Sequence, residues 1–260
     1  FNNLVLNTTG SCNTAIGRSS MDANTTGCCN TAVGNNSLST NTTANNNTAV
    51  GQSSLAANTT GASNTAIGLG ALDANTTGGD NVALGVAALG ASTTAENTSI
   101  GYNALLTTTT GDNNTGIGHE AYAPAVDTSN SFTLGNGSID NLRCNDTSIS
   151  SLSDLRDKTN IEDIPHGLDF INALRPVKFD WNRRDGTAKG LKDYGFIAQE
   201  LDKVEKDFDS AEYTRLVHKD NPDKLEADPM KTYPILIKAI QELSAQNEDL
   251  KSRIEVLENS

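Results

Sequence analysis

A hydroxyl and an amine stand five residues apart in the run Ser153-Asp154-Leu155-Arg156-Asp157-Lys158. A serine hydroxyl is a weak nucleophile until a base takes its proton, and a neutral lysine can do so where burial lowers its pKa. On a regular α-helix, five residues leave two side chains about 140° apart around the axis. A working pair therefore needs Ser153 to precede the helix, or a neighbouring subunit to help. Asp154 followed by Asp157 resembles a carboxylate variant of a capping box, which starts a helix at Asp154 with Ser153 just outside it. Asp154 is then as well suited to capping a helix as to orienting the pair. On the hexapeptide alone, capping is the stronger reading.

Other residue types offer less chemistry. His119, His166 and His218 are scattered, lack metal-ligand spacing and read as surface or structural residues, so no metal and no cofactor is expected. The glycine-rich turns carry neither a phosphate-loop pattern nor calcium-repeat aspartates. No paired carboxylates sit on a defined scaffold as glycoside hydrolysis requires.

The elements that must position the hexapeptide divide sharply. Residues 1–152 hold 2 basic and 9 acidic side chains, whereas 153–260 hold 17 and 23. Over all 260 residues the net charge is -13, hydrophobic residues make up 36% and aromatics 5%, a thin supply for a conventional packed core. That argues against an ordinary globular enzyme, and the charge argues against attraction to nucleic acid or an anionic membrane. No apolar run reaches the roughly 18 residues of a membrane span, so no membrane insertion is expected. The chain begins at Phe1 without a Met or a visible signal peptide, as expected of a piece of a longer protein.

The first part is periodic. Asn13-Thr14-Ala15-Ile16-Gly17 returns at Asn30, Asn47, Asn64, Asn81, Asn97 and Asn114, at a spacing of 17 residues and once 16. Four residues after each motif glycine comes a large side chain: Met21, Leu38, Leu55, Leu72, Leu89, Leu105 and Tyr122. A fixed short period marks a stacked architecture in which each unit covers only its neighbours. The units are too short for helix pairs and place Ile, Val or Leu beside β-tolerant Thr, so they predict a β-solenoid, β-roll or triple β-helix with one coil per repeat. Glycine at each corner supplies a positive φ. Ile16 and its equivalents are expected to point inward with the Leu series, and Asn and Thr to form ladders outside. Cys12 and Cys29 share a phase on successive coils, within disulfide range in such a stack, although assembly in a cytosol favours thiols. Cys28 and Cys144 have no evident partner.

Three segments follow: a repeat domain over 1–123, a transition over 124–152 with a turn-like Leu134-Gly135-Asn136-Gly137, and a charged α/β or α+β domain over 153–260. Val177, Phe179 and Trp181 alternate as a half-buried strand would, and Gly195-Phe196-Ile197-Ala198-Gln199-Glu200-Leu201 leads into a helix through Val204. From Pro234 onward, Leu236, Ile240, Leu243, Asn247, Leu250, Ile254 and Leu257 follow spacings of four and three, a coiled-coil seam for copies of the chain. Coiled-coil rules alone lean toward a dimer there.

The repeats resemble the NTAIG-type repeats of phage tail fibres and, more loosely, the β-roll heads of trimeric bacterial adhesins. Four ordered blocks carry a more specific likeness: Ser153 to Lys158, Leu174-Arg175-Pro176-Val177-Lys178-Phe179-Asp180-Trp181, Gly195-Phe196-Ile197-Ala198-Gln199-Glu200, and Ile235 to Leu243. They resemble the intramolecular chaperone of endosialidases and phage tail spikes, the peptidase S74 family. The resemblance implies a domain that trimerises, guides assembly of the preceding β-structured fibre and cuts itself off. By the same likeness the scissile bond is Leu152 to Ser153, with Ser153 as nucleophile and Lys158 as its partner. Asp157 departs from the family pattern, which more often has an apolar residue between Arg and Lys; a carboxylate beside Lys158 favours its charged form and slows the cut.

Together these readings imply the distal part of a viral tail fibre. It is a homotrimer assembled in the host cytoplasm, carried on the virion and directed at a host cell-surface receptor, with no activity on external substrates. A surface adhesin, or an ice-binding solenoid with a non-cleaving trimerisation domain, is the alternative.

Overall fold

The computed structural model describes residues 3–139, 142–143, 153–184, 189–221, 223 and 225–259. Leu152, Cys144 and Pro222 lie outside them. The chain divides into two units, Phe1–Asn141 and Leu142–Ser260.

The first unit is a parallel β-solenoid of about seven turns. Its eight strands are β1 (Thr14–Ile16), β2 (Thr31–Val33), β3 (Thr48–Val50), β4 (Thr65–Ile67), β5 (Val82–Leu84), β6 (Thr98–Ile100), β7 (Thr115–Ile117) and β8 (Phe132–Leu134). They pair in chain order, each residue opposite its equivalent one repeat away, as Ala32 is opposite Ala49. The eighth strand extends the stack into the segment read from sequence as a transition.

Alternation along three residues decides which side chains enter, because neighbours in a strand face opposite ways. The middle residue goes in: Ala32, Ala49, Ala66 and Ala83 are fully buried. The interior admits little more, since a Cβ on Gly116 would lie 2.6 Å from Leu105 Cγ. The Ile series therefore faces outward, with Ile16 59% exposed and Ile67 38% exposed, which corrects the expectation that it points inward. The Leu series behaves as expected through Leu105, fully buried from Met21 onward, whereas Tyr122 is exposed and leaves the core to Ala121 and Ala123.

The asparagines are a second correction: the motif residues from Asn30 to Asn114 are buried, not ranged along the outside. The physical reason is that a tight coil leaves backbone groups pointing inward, and buried polar groups must be paired. Each motif asparagine accepts from the next one's backbone N–H through Oδ1, at 2.9 Å from Asn64 to Asn47 and 3.0 Å from Asn81 to Asn64. Its Nδ2 donates to a turn carbonyl, as Asn47 does to Gly61 at 2.9 Å. A second column, Asn7, Asn24, Asn41, Asn58 and Asn75, is linked amide to amide, at 2.7 Å from Asn41 Nδ2 to Asn24 Oδ1. Outside, hydroxyls such as those of Thr25 and Thr42 donate to the carbonyl of the next coil.

The corners need unusual backbone. Gly51 has φ of 133°, and a Cβ there would meet Gly68 O at 2.4 Å. Leu38, Leu55, Leu72, Leu89 and Leu105 also sit at φ near 50°. That conformation costs an L-residue about 1–2 kcal/mol, offset by about 1.5–3 kcal/mol for burying the side chain.

The second unit begins with a single 3-10 turn over Leu155–Asp157, then α1 (Leu168–Ala173), β9 (Val177–Asp180) antiparallel to β10 (Lys192–Gly195), α2 (Ala198–Asp207), α3 (Ala211–Thr214), β11 (Val217–His218) antiparallel to β12 (Glu226–Ala227), and α4 (Tyr233–Glu258). Val177, Phe179 and Trp181 are its half-buried alternation. Phe170, Leu201, Val204, Leu216, Val217 and Ile235 form the core. Glu205 is buried within it, where its carboxylate accepts from Thr214 Oγ1 and from the Leu216 backbone N–H and so ties α2 to the α3–β11 corner.

Asn47→Ala removes the acceptor of Asn64 N and the donor to Gly61 O at buried positions. It is expected to destabilise the solenoid by about 2–4 kcal/mol, since each orphaned group costs about 1–3. Thr43→Ala, on an exposed residue, should stay within about 0.5 kcal/mol. Chemical denaturation of both variants checks this.

Candidate functional site

Ser153 immediately precedes Asp154, the N-cap of the 3-10 turn. Asp154 Oδ1 accepts from the Arg156 backbone N–H at 2.9 Å, and Lys158 closes the turn in an extended conformation, φ -123° and ψ 142°. A one-turn 3-10 helix bracketed by extended residues removes the angular separation a regular α-helix would impose. The ends come together: Lys158 Nζ donates to Ser153 Oγ at 2.7 Å. This is the distance at which a base and a hydroxyl exchange a proton.

Among the described residues Asp154 takes no hydrogen bond from Ser153 or Lys158. Its carboxylate is gripped by Arg156, with Nε at 3.0 Å and the second guanidinium nitrogen at 2.6 Å. The guanidinium, and after it the Arg156 backbone N–H, hold the Asp154 carboxyl below the ordinary carboxylate range. Of the two roles open to Asp154 in the sequence, the contacts match the cap. Among the described residues Asp157 forms no ion pair with Lys158, whose ammonium is directed at Ser153.

Ser153 and Lys158 are both exposed within the single chain. A lysine acts as a base only as the neutral amine, and burial is what favours that form. The chain thus supplies the contact but not the desolvation.

Three further contacts hold the blocks of the second unit together. Arg175, ahead of β9, forms a two-pronged pair with Glu200 in the first turn of α2, 3.0 Å from Nε to Oε2. Glu242 of α4 accepts from Leu168 N at 2.8 Å and so caps α1 from another helix. Asp202 is held below the ordinary range by Lys206 and Lys219. Sequence spacing carries a signal only for the last, as the Asp202–Lys206 i,i+4 pair.

The coiled-coil positions lie along α4. Ile235 and Ala239 are buried, and α1 is the element α4 packs on most extensively. Leu236, Ile240, Leu243, Leu250, Ile254 and Leu257 remain exposed, and Asn247 Nδ2 turns back to Leu243 O of its own helix at 3.0 Å. The seam is therefore not the face with which α4 packs on its own unit. His166 lies edge-on to Phe208, His119 stacks on Tyr102, and no group suited to a metal ion occurs among the described residues. No helix of the described residues is long and apolar enough to cross a membrane.

Residues 153–211 match the family model described as Chaperone of endosialidase, Peptidase S74. The match opens at Ser153 and runs through the 3-10 turn, α1, β9, β10 and α2 to the first residue of α3. No curated protein and no solved structure matches the chain.

Arg156→Gln should move the Asp154 titration back up toward the ordinary carboxylate range. With the native arginine the cap is intact above that range and lost as pH falls through the lowered pKa. Carboxyl-detected NMR titration of both forms measures the shift; an unchanged Asp154 midpoint would contradict the assignment.

Proposed function

We propose that the chain is the distal part of a viral tail fibre whose C-terminal unit draws three copies together in register and then severs itself between Leu152 and Ser153. The observation that carries this reading is the match over 153–211, which begins at the very serine whose hydroxyl accepts from Lys158. Ser153 Oγ would attack the carbonyl carbon of Leu152 while Lys158 takes the hydroxyl proton. Lys158 then returns a proton to the leaving amine, and water hydrolyses the ester.

Because both side chains are open to solvent in one chain, burial by a neighbouring copy is the step that would arm the lysine. Cleavage would then follow assembly. Two apolar surfaces suit such an assembly. One is the α4 seam. The other is the outward column Ile16, Ile67, Leu84, Ile100, Ile117 and Leu134, exposed at one phase of the solenoid and free of charge. Three copies apposed along these surfaces would bury both. The freed shaft would be carried on the virion and meet a host cell-surface receptor. In the column Thr25, Thr42 and Thr59 the hydroxyls donate to carbonyls of the next coil, so that column is not an open threonine ladder of the kind the ice-binding alternative expects.

The native chain should yield products of residues 1–152 and 153–260, and Ser153→Ala a single full-length band. Lys158→Ala and Lys158→Arg should both behave like the serine variant, because a guanidinium cannot serve as the base. Uncut Ser153→Ala should scatter light as a trimer. Identical bands from native and Ser153→Ala chains would refute the cut, and a monomeric uncut chain would refute the assembly.

A further inference from the structure

The first two coils carry three cysteines, Cys12, Cys28 and Cys29, none in a disulfide. They lie in two different columns. Cys28 sits one repeat from Ser11, with Ser11 N at 3.4 Å and Ser11 Oγ at 3.6 Å from its sulfur, and its thiol donates to Thr26 O at 3.3 Å. Cys29 sits one repeat from Cys12. The two are pinned on either side by contacts between the coils: Cys29 N donates to Ser11 O at 2.9 Å, and Asn30 N to Asn13 Oδ1 at 2.9 Å.

Cys12 and Cys29 also share a backbone conformation, with φ of 58° and 59°, so their side chains leave the coil in the same direction, and both are exposed. Parallel strands lie about 4.8 Å apart, inside the roughly 4.4–6.8 Å window of Cα separations that a disulfide spans. Stacked Cβ atoms at that spacing need to close by only a few tenths of an ångström to reach the usual ~3.5–4.5 Å. Further along the column stand Asn46, Ser63, Asp80, Glu96, Asn113 and Asn130, all left-handed. Asn and Asp tolerate that conformation; cysteine has no such advantage, yet two occupy successive positions of the column.

We infer that Cys12 and Cys29 are a site of oxidative modification, closing to a disulfide that staples the first coil to the second when the chain meets a low-molecular-weight disulfide such as oxidised glutathione. One protein thiolate attacks a sulfur of the small disulfide and expels its partner as a thiolate, forming a mixed disulfide. The second protein thiolate attacks the protein sulfur of that bond and expels the other half. Two protein thiols become one disulfide, and the small disulfide leaves as two thiols, so hydrogen and electrons balance. Cys29's thiol is pushed up by desolvation first and by the Cys12 sulfur second, a mark of their proximity. Cys28 is held down by its hydrogen bonds with Ser11 and belongs to the other column. This inference does not depend on the cleavage reading.

Incubate the folded full chain with oxidised glutathione, block remaining thiols with an alkylating agent, and digest with trypsin, which cuts the region after Arg18 and Arg143. The peptide ending at Arg18 should stay joined to the peptide 19–143 within one chain, with the loss of two thiols and the mass of two hydrogens. The link should survive Cys28→Ser and vanish in Cys29→Ser and Cys12→Ser. Any other result overturns the inference: both peptides alkylated and separate, a link that vanishes with Cys28→Ser but survives Cys29→Ser, or a link that joins two chains.

Discussion

The coils of this solenoid complete one another's polar groups. The amide of Asn64 is answered by the side chain of Asn47, and the side chain of Asn64 by Gly78 and the amide of Asn81. The left-handed leucines sharpen the dependence. Each pays its conformational cost within the coil, while the burial that offsets it comes from the coils on either side. A lone coil is therefore unfavourable and a stack is cooperative, which makes the stack hard to start and indifferent to where it starts. This explains how a chain with so few large apolar residues holds a fold: one leucine and two small residues per turn suffice because asparagine ladders fill the rest.

The same regularity erases position. Moving one copy along another by a repeat would set one aliphatic side chain of the outward column against another almost everywhere, so wrong registers would lie close in energy to the right one. An irregular turn interrupts this sameness. Between Asn81 and Asn97 the spacing drops to 16 residues, Ser92 stands where the second asparagine column would continue, and Asn75 Oδ1 is left without a hydrogen-bond partner among the described residues. A single fault is a weak register mark in a rod of about seven turns. A non-repetitive unit with a built core and an exposed apolar row on α4 follows the stack in the chain, and it would be the stronger mark. Persistence of a rod whose guide had been removed would rest on a high barrier to unfolding.

Period and phase were legible in the sequence, as were the glycine corners, the long C-terminal helix and the proximity of Ser153 to Lys158 once Ser153 is set outside a helix. The facing of the side chains was not. Hydrophobicity puts Ile inside and Asn outside, and that rule fails where a coil is too narrow for Ile and too rich in inward backbone groups for an apolar filling. The eighth strand carries little sequence signal because Ser131-Phe132-Thr133-Leu134-Gly135 retains only the glycine of the motif. Asp154 could be read either way until Arg156 was seen to hold it. Glu205 and Glu242 carried no signal at all, since their partners are backbone groups or lie far along the chain.

The most direct measurement is the fate of the shaft made without its partner unit. Residues 1–152 produced alone should give little soluble threefold rod and much misaligned or aggregated material, whereas the chain carrying 153–260 should give aligned rods in good yield by scattering and electron microscopy. Aligned threefold rods at full yield from residues 1–152 alone would contradict the account.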